Sequence, residues 1–323
     1  MPDSRLPATR HRYAIYGLVV DSDVQFASIR EAGGPEAGVL AAVCIALAPA
    51  ASISTRLGAT PVASDGWIDH AVLGDGSFYL KAGDVFEAIV SSDGRRADCT
   101  AIGVTDLASF EANLLNFVLS AALTLQGEEP MHSTVVDIGG KAVGLLGGSG
   151  AGKSTLAAAL IHGGSALITD DMLRVTFVDG GARAHAGPQR LKLFEEPARL
   201  FLPGVVAEGQ FNTASGKMML QPRASHRDVV RQHWPLAALF WIGDDTAKPD
   251  EEVSALRLTG AELAKVLLSS AMNLRYQKID RLARQMAFVE RLAARVPVYA
   301  LRYPRTFAAI DRVVAEIQRA VGP

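Results

Sequence analysis

Residues 147–155, Gly-Gly-Ser-Gly-Ala-Gly-Lys-Ser-Thr, limit what this chain can fold into more than any other stretch. They fit G-x-x-x-x-G-K-[ST], a phosphate-cradling loop (P-loop) that has to follow a strand and open a helix. Both neighbours are present, an apolar run at 142–146 and an Ala/Leu-rich run at 156–161. Gly147, Gly148, Gly150 and Gly152 allow the backbone to curl until its N–H groups point inward, and the helix start adds the positive end of its dipole. Lys153 would bring charge to the outer phosphates and Ser154 a hydroxyl for Mg²⁺, with Ser149, Ala151 and Thr155 completing the cradle. A Gly-rich turn matching by chance would not need a strand before it and a helix after it. The stretch predicts a site for a nucleoside triphosphate or a similar polyphosphate.

A short apolar segment, 166–169, follows the loop's helix and ends in Asp170-Asp171. Strand, helix and second strand fit a βαβ crossover, and ligands in such sheets bind beyond the carboxyl ends of the strands. That places both carboxylates beside whatever Lys153 holds. Adjacent carboxylates are costly unless a cation or a proton-transfer role employs them, although Asp-Asp also occurs in solvated turns. Downstream, Arg190 and Lys192 alternate with Leu191 and Leu193, so in an extended piece they share a face. That face meets phosphate or is the wet side of a strand, and the pattern allows both.

The rest of the chain supplies organisation. Its 323 residues suit one large or two ordinary domains, and 49% hydrophobic with 20% charged residues is a globular balance. A net charge of −2 gives no general nucleic-acid or membrane surface. Cys44 and Cys99 have no metal spacing and read as buried thiols of a reducing compartment. The polar N-terminus lacks a signal-peptide core, and the 39–48 apolar run is too short to span a bilayer, so a cytoplasmic protein is expected. Residues 13–20 are rich in β-formers, Gly33-Gly34-Pro35 is a break, and turns between 58 and 103 predict a small antiparallel unit. Residues 106–126 read as one helix with Leu107, Phe110, Leu114, Phe117, Val118 and Ala121 on one side. Gly127-Glu128-Glu129-Pro130 stops it and sets the expected boundary between domains 1–129 and 130–323. In the second, two hairpins flank the loop and its crossover, at 133–146 and 172–186. Thr259 to Glu262 forms a capping box, and 277–295 and 306–321 are amphipathic helices. Arg281, Arg284, Arg291 and Arg295 on the first read as a solvated face.

Met131-His132, Val135-Val136-Asp137-Ile138, the loop itself, Ala157, Leu160, Ile161 and the Asp170-Asp171 pair resemble HPr kinase/phosphorylase, a bacterial serine kinase family. The resemblance covers 131–178. More loosely, Pro188 through Leu193, Lys217 and the 296–304 segment look like a divergent branch that includes lasso-peptide precursor kinases. The resemblance implies an α/β fold with a C-terminal P-loop kinase domain, 130–323, preceded by a smaller α+β accessory or substrate-binding domain, 1–129. It implies ATP with Mg²⁺ and transfer to a serine or threonine hydroxyl of a small protein or precursor peptide. Asp171 would be the general base with His132 beside it, Lys153 the phosphate-binding lysine, and Ser154 and Asp170 the metal ligands. Two family features are missing. Ala184-His185-Ala186-Gly187-Pro188 stands where the family has an acidic ligand and Arg-Gly-x-Gly, and a C-terminal Pro-Gly-Arg-Asn loop is not found. Neither HPr as acceptor nor the reverse reaction is therefore expected. Two other readings remain open on the residues alone. One is a small-molecule kinase with a lid bearing Arg190, Lys192 and Arg275, and the other a non-catalytic nucleotide-binding regulator.

Overall fold

The computed structural model describes residues 10–29, 31, 42–103, 106–212, 215–222, 232–243 and 252–322. The polar lead-in up to residue 9, the Gly33-Gly34-Pro35 break and residues 39–41 lie outside the described residues. The chain divides into two compact units, Met1–Glu128 with Asn273–Gln277, and Glu129–Met272 with Lys278–Pro323. Each mixes helix and sheet.

In the first unit, β1 (His11–Ile15), β2 (Leu18–Ser22) and β3 (Val43–Leu47) precede helix α1 (Ala50–Leu57). Strands β4 (Ala63–Ser64), β5 (Ile68–Val72), β6 (Phe78–Ala82), β7 (Phe86–Val90) and β8 (Arg96–Ala101) follow. They form one sheet in the order β1-β2-β3-β8-β7-β6-β5-β4. The turn-spaced part from β4 to β8 is antiparallel, as its turns predict. The whole sheet is larger than the small antiparallel unit expected, because β3 pairs in parallel with both β2 and β8. Those pairings join distant segments, which no local turn signal announces. The 13–20 run is a hairpin, turning at Tyr16 and Gly17 with φ of 54° and 67°.

The expected helix at 106–126 is α2 (Leu107–Asn113) and α3 (Leu119–Leu125), joined by a wider π turn at Leu114–Val118. The Asp106 carboxylate caps it, accepting from the Ser109 N–H at 2.7 Å. Phe110, Leu114, Val118 and Ala121 are buried as expected, whereas Leu107 is 78% exposed. Residues Leu107–Leu125 are long and apolar enough to cross a membrane, but 78% of that window is buried inside the protein, as in a core helix. The segment Asn273–Gln277 completes the unit. Tyr276 packs edge-on to Phe78 at 5.2 Å, Asn273 donates to the Thr124 hydroxyl at 3.0 Å, and Arg275 pairs with Asp65.

The second unit opens with the hairpin β9 (Ser133–Ile138) and β10 (Lys141–Leu146), turning at Gly139 and Gly140 with φ of 60° and 85°. Helix α4 (Lys153–His162) leads to β11 (Ala166–Thr169), then to the second expected hairpin, β12 (Val175–Val178) and β13 (Gly181–His185). Next come β14 (Leu191–Leu193), α5 (Glu195–Phe201), α6 (Pro203–Val206), β15 (Gln210–Asn212), β16 (Lys217–Leu220) and β17 (His233–Trp241). Strand β18 (Ser254–Arg257), α7 (Gly260–Ser269), α8 (Ile279–Ala293), β19 (Val298–Arg302) and α9 (Ile310–Val321) complete it. The main sheet runs β11-β9-β10-β17-β13-β12, with β19 also on β17 and β18 on β19. Thus β10, β17 and β19 are parallel neighbours, and β9 lies between the two strands of the expected crossover.

Alternation along β10 shows how the sheet is covered. Val143 and Leu145 face a core with Leu156, Leu160, Phe201, Val313 and Ile317 from α4, α5 and α9. Ala142 and Leu146 face another with Val266, Leu267, Val289 and Leu292 from α7 and α8. A strand buried on both faces reads as continuously apolar, as 142–146 does. Thr259 occupies the N-cap of α7, but its side chain makes no capping hydrogen bond, so the expected box is not formed. The expected solvated arginine face holds for Arg291 and Arg295, which are exposed, and is corrected at Arg281 and Arg284, which pair with the buried Glu129. Arg281 is 2% exposed and donates to Glu129 at 3.0 Å, while Arg291 and Arg295 lie over the Phe177 ring at 4.3 and 5.6 Å. Ile279, Leu282 and Met286 of α8 are exposed as well, at 93%, 59% and 48%.

Candidate active site

Beyond the end of β10 the chain makes the glycine-rich loop. Gly147, Gly150 and Gly152 have φ of 151°, 80° and 99°, a region that side chains rarely adopt. At Gly147 a Cβ would also come within 2.7 Å of the Ile242 carbonyl oxygen, so only glycine fits between β10 and β17. Gly152 is the N-cap of α4, and Leu156, Ala157, Ala158 and Leu160 bury the helix and hold its start against the strand end. From outside, Arg305 holds the loop. Its guanidinium donates to the carbonyls of Ala151 and Gly243, both at 2.5 Å, and stacks on Tyr303 at 4.6 Å.

Lys153 is 7% exposed, and its Nζ donates to the carbonyls of Gly147 and Gly148 at 2.8 and 2.9 Å. Burial lowers its pKa, while Asp170 and Asp171 pull the other way. Ser149, Gly150, Gly152, Ser154 and Thr155 line one pocket with Lys153. Gly148 and Ala151 do not line it; they are the turn that carries the others.

Strand register brings the carboxylates to this pocket. Leu146 pairs with Ser133 across β9–β10, and Thr169 with Val135 across β9–β11. Residues 147, 132 and 170–171, one step beyond those pairs, therefore meet at one end of the sheet. Asp170 is 6% exposed, accepting from the Thr134 hydroxyl at 2.6 Å and the Lys192 N–H at 3.0 Å. Burial and the charge of Asp171 raise its pKa against those two hydrogen bonds. Asp171 has φ of 70°, a left-handed conformation that costs on the order of 1–3 kcal/mol for a non-glycine residue and concentrates at functional sites. Burial pushes its carboxyl pKa up, but the charge and hydrogen bond of Lys192, with the charge of Arg190, outweigh this and hold it well below the usual range. The Lys192 Nζ donates to Asp171 Oδ2 at 2.6 Å.

His132 joins the pair to the loop. Its Nδ1 lies 2.9 Å from the Asp171 carbonyl oxygen, which can only accept, so Nδ1 carries the proton and Nε2 is the acceptor. Burial and the Lys153 charge lower its pKa, which favours the neutral ring. Of the two basic residues expected to share a face, Lys192 lines the pocket. Arg190 is 7% exposed and does not line it, and its charge acts on Asp171. Arg275, a candidate lid arginine, belongs to the first unit.

Sequence reasoning passed over Thr134, Phe194 and Arg305, and Lys217 entered it only within the looser resemblance. Thr134 is visible only once β9 is paired with β11. Phe194 and Lys217 come from a small separate sheet, β14-β16-β15, which carries both into the pocket lining. Arg305 follows β19, the last strand parallel to β10. As to metal, no group of three or more His, Cys, Asp or Glu side chains is placed to hold an ion among the described residues. The Ser154 hydroxyl and the Asp170 carboxylate line the same pocket, and oxygen ligands this sparse suit Mg²⁺, which is usually held through substrate phosphates and water.

No family model matches the chain, and no curated protein does. Among solved structures it is similar to the HPr(Ser) kinase/phosphatase from Coxiella burnetii, at 13% identity and a TM-score of 0.32. The match covers 59% of this chain and 95% of that one. A likeness this slight carries no conclusion about function.

Proposed function

We propose that the second unit is an ATP- and Mg²⁺-dependent kinase for a serine or threonine hydroxyl on a small protein or a ribosomal precursor peptide. The observation that carries this reading is that Lys153 on its glycine loop and the Asp170-Asp171 pair line one pocket. Phosphoryl transfer needs positioning and charge more than covalent participation, and the residues present divide that work. The loop N–H groups, the start of α4 and Lys153 bind the phosphates and balance their charge. Ser154 and Asp170 would hold Mg²⁺, which when bound neutralises charge on the phosphate oxygens. The acceptor oxygen forms a bond to the γ-phosphorus, the bond to the β-phosphate oxygen breaks, and ADP leaves. The hydroxyl proton passes to the carboxylate of Asp171, whose depressed pKa keeps it in the accepting form at neutral pH. His132, donating to the Asp171 carbonyl, holds the strained backbone in place.

The test is mass spectrometry of peptides and small proteins encoded beside this gene, incubated with the full chain, ATP and Mg²⁺. One phosphoryl group should appear on a serine or threonine. Asp171→Asn keeps a side chain that tolerates the left-handed backbone, and should lower the rate by roughly 10²–10⁴-fold while nucleotide still binds. Lys153→Ala should lose transfer as well. Near-normal transfer by Asp171→Asn would remove Asp171 as the base. ATP bound with no acceptor modified would favour a regulator.

A further inference from the structure

Three ammonium groups line the pocket, and two of them have partners within the protein. Lys153 is spent on the carbonyls of Gly147 and Gly148, and Lys192 on Asp171. Lys217 differs. It is half-buried at the start of β16, among the described residues it has no carboxylate partner, and its Nζ rests over the Phe194 ring, 5.2 Å from the centroid. An aromatic face holds a partly exposed cation only weakly, far less firmly than a phosphate would. Phe194 itself is 52% exposed and lines the pocket beside Lys217. The charge of Lys217 is also felt at Lys153, where it adds to burial in depressing the pKa against the pull of Asp170 and Asp171.

We infer that Lys217 is the cation that engages the terminal phosphoryl group, moving from the Phe194 ring to the γ-phosphate when a triphosphate is bound. This rests on the kinase reading and adds to it a residue that distinguishes triphosphate from diphosphate. The P-loop backbone serves phosphates common to both nucleotides and Lys153 reaches the outer ones, whereas Lys217 sits on the separate β14-β16-β15 sheet and adds a second contact that only the triphosphate can use. A charged hydrogen bond in a partly buried site corresponds to roughly a ten- to hundred-fold preference.

Calorimetry on the full chain with Mg²⁺ reads this directly, using ADP and the non-hydrolysable imido analogue of ATP as probes. The wild-type protein should bind the analogue more tightly, and Lys217→Met should bring the two affinities together by lowering that of the analogue alone. Lys217→Arg, which keeps the charge, should restore much of the preference, and Phe194→Leu should leave it in place because the seat is vacated on binding. An unchanged preference in Lys217→Met, or an equal loss for both nucleotides, would overturn the assignment and leave the kinase reading standing. Failure of the wild-type chain to bind either nucleotide would overturn both.

Discussion

His185 shows how a single side chain can make this protein sensitive to acid. It pairs across strands with His233, with ring centroids 6.2 Å apart, shares a 2.8 Å hydrogen bond with Thr176 through Nε2, and among the described residues has no partner at its buried Nδ1. Burial, then the charges of Arg174, His233 and Arg183, bring its pKa down to about 4. The unfolded chain takes up this proton near pH ~6.5, where the folded one refuses it. Stability is therefore complete above about pH 6.5 and declines as the pH falls towards 4. After discounting for solvent screening, the loss is about 2 kcal/mol. Urea unfolding at pH 7.5 and pH 5 checks it, since His185→Gln should show a smaller difference between the two conditions than the wild type. At this scale the sequence was legible where chemistry is local. Lys153 and Ser154 follow from their place in the loop motif, and the Asp170-Asp171 pair from its distance beyond it. The Asp171–Lys192 and Asp170–Thr134 contacts were not legible, because they depend on which strands become neighbours.

Helix α8 is a helix as its pattern predicts, and the solvated-arginine expectation holds at Arg291 and Arg295 but fails at Arg281 and Arg284. Counting arginines as solvated is sound when nothing buried needs them. Here Glu129 has a side chain only 1% exposed and takes hydrogen bonds from both Arg281 and Arg284, at 3.0 Å each. Arg281 also donates to the Met272 carbonyl at 2.6 Å. Removing one partner of a buried pair strands the other charge, at a cost of about 3–5 kcal/mol. Arg281→Met should therefore destabilise the second unit, by less than that amount because Arg284 still pairs with Glu129, and the double variant Arg281→Met, Glu129→Leu should recover much of it. Denaturant midpoints decide the matter, and a single variant within 1 kcal/mol of wild type would show that the pair is hydrated instead. The crossover was partly legible in the same sense. The continuous apolar run before the loop and the Ala/Leu-rich run after it point to β10 and α4, but the placing of β9 between β10 and β11 could not be read from either strand.

The three tryptophans are divided between the two units, Trp67 in the first and Trp234 and Trp241 in the second. Because a ligand stabilises only the fold that binds it, a triphosphate analogue at about 100 times its Kd should raise the stability of the second unit by about 2.7 kcal/mol. A Trp67→Phe chain, which keeps only the reporters in the second unit, should show that shift in its fluorescence transition. A chain with Trp67 alone should not. Equal shifts in the two chains would mean that the units unfold as one cooperative body.

Residues 273–277 belong to the first unit, although the chain on both sides of them belongs to the second. Cutting the polypeptide at a single place thus cannot free either unit whole. A piece ending at residue 128 would lose Tyr276 from Phe78 and Arg275 from Asp65, and a piece beginning at 129 would carry five residues whose partners had been left behind. A gene rearrangement that joined either half to a new neighbour at that point would deliver an incomplete part, so the two halves are bound to be inherited together.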